Sequence, residues 1–294
     1  MLDLIDKKLI FWGTGSLSKR IYCNIMLNNL PVHIECFIDN DKTKVGLMLF
    51  DKKIHHSEEI HNIKTSEHCI VICSSFEKEI MNQLGNMRFK QQIDFITYRE
   101  FDNYLEYLTA YEQIKYYDKL KVIIGASQTN QKGWISTDKP YLDVLKQEDW
   151  KNLFGGREIN SIVAEHVWEH LTYEQGVIAA KNCFCYLEKG GRLRIAVPDG
   201  NHPNPHYISW IKPGGFGDGA EDHKVLYTVD MITGLLKNAG FNTVDVIEYF
   251  DESGNFHQSD WKLEHGFINR SKDNDPRNWH GNNVYSSLIV DGIK

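Results

Sequence analysis

Two short apolar runs, each led by lysine and ended by glycine, punctuate the chain: Lys8 to Gly13 (KLIFWG) and Lys119 to Gly125 (KLKVIIG). An apolar run of this length before a turn residue reads as a buried strand. A strand running straight into a glycine turn opens a nucleotide-binding α/β unit. Its appearance twice predicts two α/β domains. In the first half the pattern goes on to predict a helix over Lys19 to Asn28, a strand over Ile34 to Asn40 and a buried strand at HCIVICS. A helix over Phe76 to Leu84 and a strand at QIDFITY follow. Strands alternating with helices predict a parallel sheet covered on both faces.

Residues Arg99 to Leu120 are rich in Tyr, Leu and Glu and contain no Gly or Pro, so they read as a helix bridging the halves. The expected division is residues 1–118 and 119–294, each piece long enough to bury its own core. Beyond it the pattern predicts a strand at WISTD, a helix over Leu145 to Phe154, a strand at INSIVA and a helix over Thr172 to Leu187. The turn EKGG leads into the strand RLRIAVPD. A Gly/Pro/His-rich loop spans Gly200 to Asp222, and a helix over Val229 to Asn238 is stopped by Gly240. FNTVDVIEYF and NVYSSLIVDGIK read as the last strands.

Composition narrows the function classes. The 294 residues are 41% hydrophobic and 25% charged with a formal charge of −7, which excludes a mostly disordered chain and a broad phosphate-backbone face. No nucleic-acid partner is expected. No apolar run approaches the ~20 residues of a membrane span, and MLDLIDKKLIFWG lacks the order of a signal peptide. Six dispersed cysteines with no CxxC read as reduced thiols of a cytoplasmic protein, over a disulfide or zinc site.

The second half resembles class I S-adenosylmethionine-dependent methyltransferases. VIIGASQTNQKGWISTD, INSIVAEHVWEHLTYEQG, CYLEKGGRLRIAVPDG and MITGLLKNAGFNTVDVIEY carry the likeness. The tail GFINRSKDNDPRN with YSSLIVDGIK looks like a predicted methyltransferase subgroup found with bacterial surface-polysaccharide genes. GTGSLS and CFIDND give the first half a loose likeness to Rossmann-like domains of nucleotide-sugar and glycan-modifying enzymes. The resemblance implies two Rossmann-like doubly wound domains. The second would be a seven-stranded methyltransferase-type sheet with an antiparallel last strand.

It also implies roles. Gly125, with Ala126 and Ser127, would let the backbone approach the methyl donor, and Asp138 would accept the ribose hydroxyls. Asp143 would lie near the adenine, and Glu165 and His166 beside the methyl. Each has a plainer reading: Gly125 as a tight turn, Asp138 as a strand end or helix cap. Gly125 and Asp138 are only 13 positions apart, where a strand–helix–strand unit takes about 30 residues, so the first helix must shrink to a turn. The implied reaction is methyl transfer to a small acceptor, a sugar or activated nucleotide-sugar of surface-glycan synthesis, with self-association left open. A degenerate, non-catalytic nucleotide-binding or scaffold protein is the alternative.

For a hydroxyl or amine acceptor a histidine suits the proton transfer. His223 is favoured, because it closes the Gly200–Asp222 loop. His166 and His206 compete, and Asp199 could orient one of them. Solvated loop histidines are the plain alternative. His166 and His170 stand four apart, as metal ligands on one helical face would, but the glutamate of HVWEH is misplaced for HExxH, so no metal is expected. His170 is expected to cap or pack. Trp134 and Trp168 read as core before stacking platforms. Arg270 and Arg277 either clamp an acceptor phosphate or carboxylate, or pair with Asp273 and Asp275. In the first half Gly13, Gly15 and Asp39 match part of a dinucleotide fingerprint, with Ser18 where a third glycine belongs. A nicotinamide, another nucleotide or a purely structural domain remain open, and a YxxxK catalytic pair is missing.

Overall fold

The computed structural model describes residue 4 and residues 6–127, 129–279 and 283–294. The chain forms two compact units, residues 1–109 and 110–294.

Unit 1 runs β1 (Lys8–Trp12), α1 (Ser16–Leu27), β2 (His33–Asp39), β3 (Met48–Leu49), β4 (Lys52–His56), β5 (His68–Ile72), α2 (Glu77–Asn86), β6 (Phe95–Thr97) and the first part of α3 (Tyr98–Tyr116). Its sheet has the order β3-β4-β2-β1-β5-β6, parallel except for the β3–β4 hairpin. The alternation within β1 explains why both faces are covered. Leu9 and Phe11 pack with Ile21 and Ile25 of α1 and Phe101 of α3. Ile10 and Trp12 turn to the other face, against Ile80 and Leu84 of α2. A strand buried on both faces must be apolar at every position, as KLIFW is after its lysine. The hairpin β3–β4 was not expected, because KKIHH carries no apolar alternation; its place is set by pairing Ile54 with Phe37 of β2.

Unit 2 contains β7 (Leu120–Ile124), β8 (Ile135–Thr137), α4 (Gln147–Phe154), β9 (Ile159–Glu165), α5 (Tyr173–Tyr186) and β10 (Leu187–Pro198). After these come α6 (Pro205–Ile211), α7 (Val229–Ala239), β11 (Thr243–Phe250), β12 (Phe256–Gln258) and β13 (Ser287–Ile293). The seven-stranded order is β12-β11-β13-β10-β9-β7-β8. β7, β8, β9 and β10 are parallel, and β13 lies antiparallel between β10 and β11. The seven strands with an antiparallel last strand are consistent with the sheet that the resemblance implies. The seventh strand is the edge partner β12, which the sequence pattern did not mark. α6 lies within what reads as a loop: Asn204 caps it by accepting from the His206 amide, and Pro205 occupies its first turn.

The inserted strand is fixed by charge. Arg194 of β10 is fully buried, and its Nε and Nη2 donate to Asp291 Oδ1 and Oδ2 of β13 at 2.8 and 2.7 Å. Its Nη1 donates to Gly266 O at 2.7 Å. Such a bidentate pair is tolerated in a core because nearly every polar atom has a partner. All six cysteines are free. Among the described residues no helix is long and apolar enough to cross a membrane.

Candidate functional site

A cavity of about 840 Å³ opens at the C-terminal ends of β7 and β9. From β7 the chain winds outward to β8, then returns to lay β9 on the other side. Parallel sheets bind ligands at this reversal, because the loops leaving the two strands part in opposite directions and leave a crevice.

The first wall is the turn after β7. Gly125 has φ +62°, and a Cβ there would lie 2.5 Å from Val167 Cγ2. Gly125, Ala126 and Ser127 all line the cavity. Asp138 and Asp143 are not among the lining residues. Asp138 Oδ2 accepts from the Ser127 amide and Oδ1 from the Lys139 amide, both at 2.8 Å. Asp143 Oδ1 accepts from the Leu145 amide at 3.1 Å, and Lys146 stands 3.5 Å from Oδ2. Among the described residues no helix lies between β7 and β8, and the acid after β8 folds back to hold the turn itself.

The second wall is the turn after β9. Glu165 accepts from the amides of Asn269 (3.1 Å) and Arg270 (2.7 Å) and from Asn269 Nδ2 (3.0 Å), so it tethers residues 269–270 at the cavity. His166 follows with φ +56°. The next residues form a 3-10 turn, Trp168–His170, so the stretch is a strand end, a kink and a tight turn rather than one helix face. Trp168 and Trp134 are core residues.

His166 has both ring nitrogens engaged. Ser287 has one hydroxyl proton, which goes to Arg270 O at 2.8 Å. Its 3.0 Å contact with His166 Nε2 therefore runs from the ring N–H to the hydroxyl oxygen. Nδ1 lies 2.9 Å from Glu169 Oε1, and a carboxylate only accepts. Glu169 is 1% exposed. Burial works to raise its pKa, but the charge and hydrogen bond of His166 outweigh it and hold the carboxyl below its ordinary value. Its Oε2 has no hydrogen-bond partner among the described residues.

His223 lines the cavity almost wholly buried, after the 3-10 turn Ala220–Asp222. Its Nδ1 donates to Ile211 O at 2.6 Å, which leaves Nε2 with a free lone pair. The Glu169 carbonyl accepts from the Lys224 amide at 2.6 Å and straps this segment onto the β9 turn. His170 meets His223 edge to face at 4.9 Å. Arg270 and Arg277 also line the cavity. Arg277 Nε donates to Asp275 Oδ1 at 2.8 Å, and its guanidinium lies 3.5 Å from the Tyr285 ring centre. Burial pushes the Tyr285 hydroxyl up to about 12 against the pull of both arginines.

Two expected residues lie elsewhere. His206 is exposed on α6, edge-on to Phe216. Asp199 accepts from the Phe250 (2.7 Å) and Asn201 (2.9 Å) amides, and burial raises it to about 6. Neither lines the cavity. Sequence reasoning did not single out Glu169 or Tyr285 as functional, and it gave His170 only a capping or packing role. The signal for Glu169 was its place in the tight turn a few residues beyond a strand, where successive side chains point in different directions.

In unit 1 the partial fingerprint is closed by its own side chains. The buried Ser18 hydroxyl donates to Gly13 O at 2.7 Å. Asp39 accepts from the Thr14 hydroxyl, from the Asp41 amide at 3.0 Å and from Lys44 at 3.0 Å.

A family model described as C2185-like, N-terminal matches residues 5–93, less than a third of the chain. No curated protein matches the chain. Among solved structures, PigF with SAH is similar over 62% of this chain at 8% identity and TM-score 0.36, and this chain spans about half (53%) of that protein. A SAM-dependent methyltransferase from Archaeoglobus fulgidus is similar over 65% of this chain and 94% of its own, at 13% identity and TM-score 0.36. UDP-D-quinovosamine 4-dehydrogenase from Vibrio fischeri is similar over 31% of this chain and 77% of its own, at 20% identity and TM-score 0.26.

Proposed function

We propose that unit 2 transfers a methyl group from S-adenosylmethionine to a small acceptor, a sugar or nucleotide-sugar. The observation that carries this reading is the cavity at the strand reversal of a methyltransferase-type sheet, walled by the Gly125 turn and by Glu165 and His166. The reaction is an in-line displacement at carbon, so the protein's main task is alignment. Arg270 and Arg277 on one wall favour an acceptor with a phosphate or carboxylate. His223 lines the same cavity with its ring fixed through Nδ1 by the Ile211 carbonyl.

One observation favours the competing non-catalytic reading: Asp138 and Asp143 are bound to their own loops and do not line the cavity. A single titration decides between them. S-adenosylhomocysteine, NAD and UDP-sugars are each added to the full chain, followed by melting temperature and calorimetry. S-adenosylhomocysteine is expected to raise the melting temperature by mass action. No binding at millimolar concentration overturns the methyl-transfer reading.

A further inference from the structure

Glu169, His170 and His223 each direct one ligand atom into a space where these atoms lie within 4.8 Å of one another, at the cavity wall. We propose that they hold one divalent transition-metal ion, with an open coordination position facing the cavity. Three observations meet here.

First, Glu169 keeps a buried carboxylate oxygen, Oε2, without a hydrogen-bond partner among the described residues. An unmatched buried acceptor of this kind is costly unless something occupies it. Second, each ligand is held from behind. His166 Nδ1 holds the other oxygen of Glu169 at 2.9 Å. Ile211 O fixes the Nδ1–H of His223 at 2.6 Å, which turns Nε2 outward as a ligand. Asp222 Oδ2 stands 3.4 Å from Nδ1 of His170, a carboxylate behind an imidazole. Metal-binding histidines show this second tier of carbonyl and carboxylate partners. Third, the ligands come from two segments strapped together by the Glu169 carbonyl, so their spacing does not depend on flexible side chains alone.

The donor set selects the ion. Two imidazoles and one carboxylate suit Zn²⁺, Mn²⁺ or Fe²⁺, not the all-oxygen shells of Ca²⁺ or Mg²⁺. Ligand atoms around tetrahedral zinc stand about 3.4 Å apart, so binding draws the three together by roughly 1 Å.

The role of the ion, unlike the site, rests on the methyl-transfer reading. An acceptor hydroxyl in the open position loses its proton to water at the cavity mouth. Its oxygen then bonds to the donor's methyl carbon, and the carbon–sulfur bond breaks with its electron pair left on sulfur. The ion stabilises the negative charge on the attacking oxygen. The lone pair of His223 thus serves the ion and not the proton.

The test strips the full chain with a chelator and titrates it with Co²⁺, read by its visible absorption, then competes with Zn²⁺. One equivalent of Co²⁺ is expected to bind and be displaced by Zn²⁺. Glu169→Gln and His223→Ala should each weaken binding tenfold or more, while His257→Ala, at an exposed site away from the cavity, should not. Should Glu169→Gln fail to fold, His170→Asn, at a half-exposed position, carries the same expectation. Absence of binding at high micromolar Co²⁺, or equal affinity in the variants, overturns the site. S-adenosylhomocysteine binding is measured alongside. Donor binding without a metal site rejects this inference alone, and a metal site without donor binding rejects the proposed role and the methyl-transfer reading.

Discussion

Both units end their first strand in glycine and their second in or beside an acid, yet the two turns differ in what they leave open. In unit 1 a Cβ on Gly13 would lie 2.5 Å from the Cys73 carbonyl oxygen, at φ +119°. Ser18 fills the place of a third glycine, and Asp39 is engaged by three donors. In unit 2 Gly125 abuts only a valine side chain. At the cavity wall after β9, the buried Glu169 carboxylate has no partner for its Oε2 among the described residues. A glycine fingerprint marks where a strand turns into its loop. Whether a ligand enters depends on whether the chain has already met its own donors and acceptors.

Substitutions at these positions test that difference. Gly13→Ala meets a backbone carbonyl and a conformation that L-residues rarely adopt, so it should cost unit 1 about 2–4 kcal/mol. Gly125→Ala sits at a left-handed φ costing roughly 1–2 kcal/mol, and Val167 can turn aside. Denaturant melts that show a greater loss at Gly125 break the comparison.

The pH response should differ in sign between buried and looped acids. Burial raises Glu248 of β11 to about 7 from 4.5. A raised acid favours folding fully below its unfolded pKa, and that advantage disappears as pH rises through the folded value. Relative to Glu248→Gln, the wild type should therefore lose about 2–3 kcal/mol between pH 4.5 and 7. Asp39 is shifted the other way: burial opposes the shift, but Thr14, the Asp41 amide and Lys44 together lower it. Its contribution is present above pH 4 and lost as pH falls. Melting temperatures of Glu248→Gln and Asp39→Asn against the wild type, from about pH 2 to about pH 7, check the two signs, and parallel curves contradict them.

The smallest effects concern the acids themselves. Asp138→Ala frees the Ser127 amide and should weaken S-adenosylhomocysteine binding about tenfold, ~1.4 kcal/mol. Asp39→Asn should cost about 1 kcal/mol of stability and leave that affinity unchanged. Calorimetry on both variants separates a turn that serves a ligand from one that serves the fold.

Periodicity and punctuation made most of the sheets legible. KLIFWG, KLKVIIG, INSIVA and RLRIAVPD all became central strands, since strands buried on both faces have to be uniformly apolar. Two short, half-polar strands were not legible. β4 and β12 are short and half polar, so their pairing partners, not their composition, define them. α6 was obscured by the glycines and prolines around it, although Asn204–Pro205 is a helix-start signal. At the site the spacing of His166 and His170 was weighed as helical, whereas the chain kinks at His166 and tightens into a 3-10 turn. The kink turns Glu169 into the protein, where a helical count would not place it. Asp138 stands at the expected strand end, but the missing helix between β7 and β8 gives it a different partner.

The buried Arg194–Asp291 pair joins parts of unit 2 that are distant along the chain. Its two members are 97 residues apart in sequence, and the strand carrying Asp291 fits between two strands made before it. Until that strand docks, β10 and β11 face each other across a gap one strand wide, with both edges unpaired. Closing so long a loop is slow, and open edges in the meantime can recruit strands from other copies of the chain. The guanidinium stays hydrated in that interval, because it has no reason to leave water before its carboxylate arrives. The salt link therefore ties completion of the seven-stranded sheet to a contact between residues 97 apart in sequence.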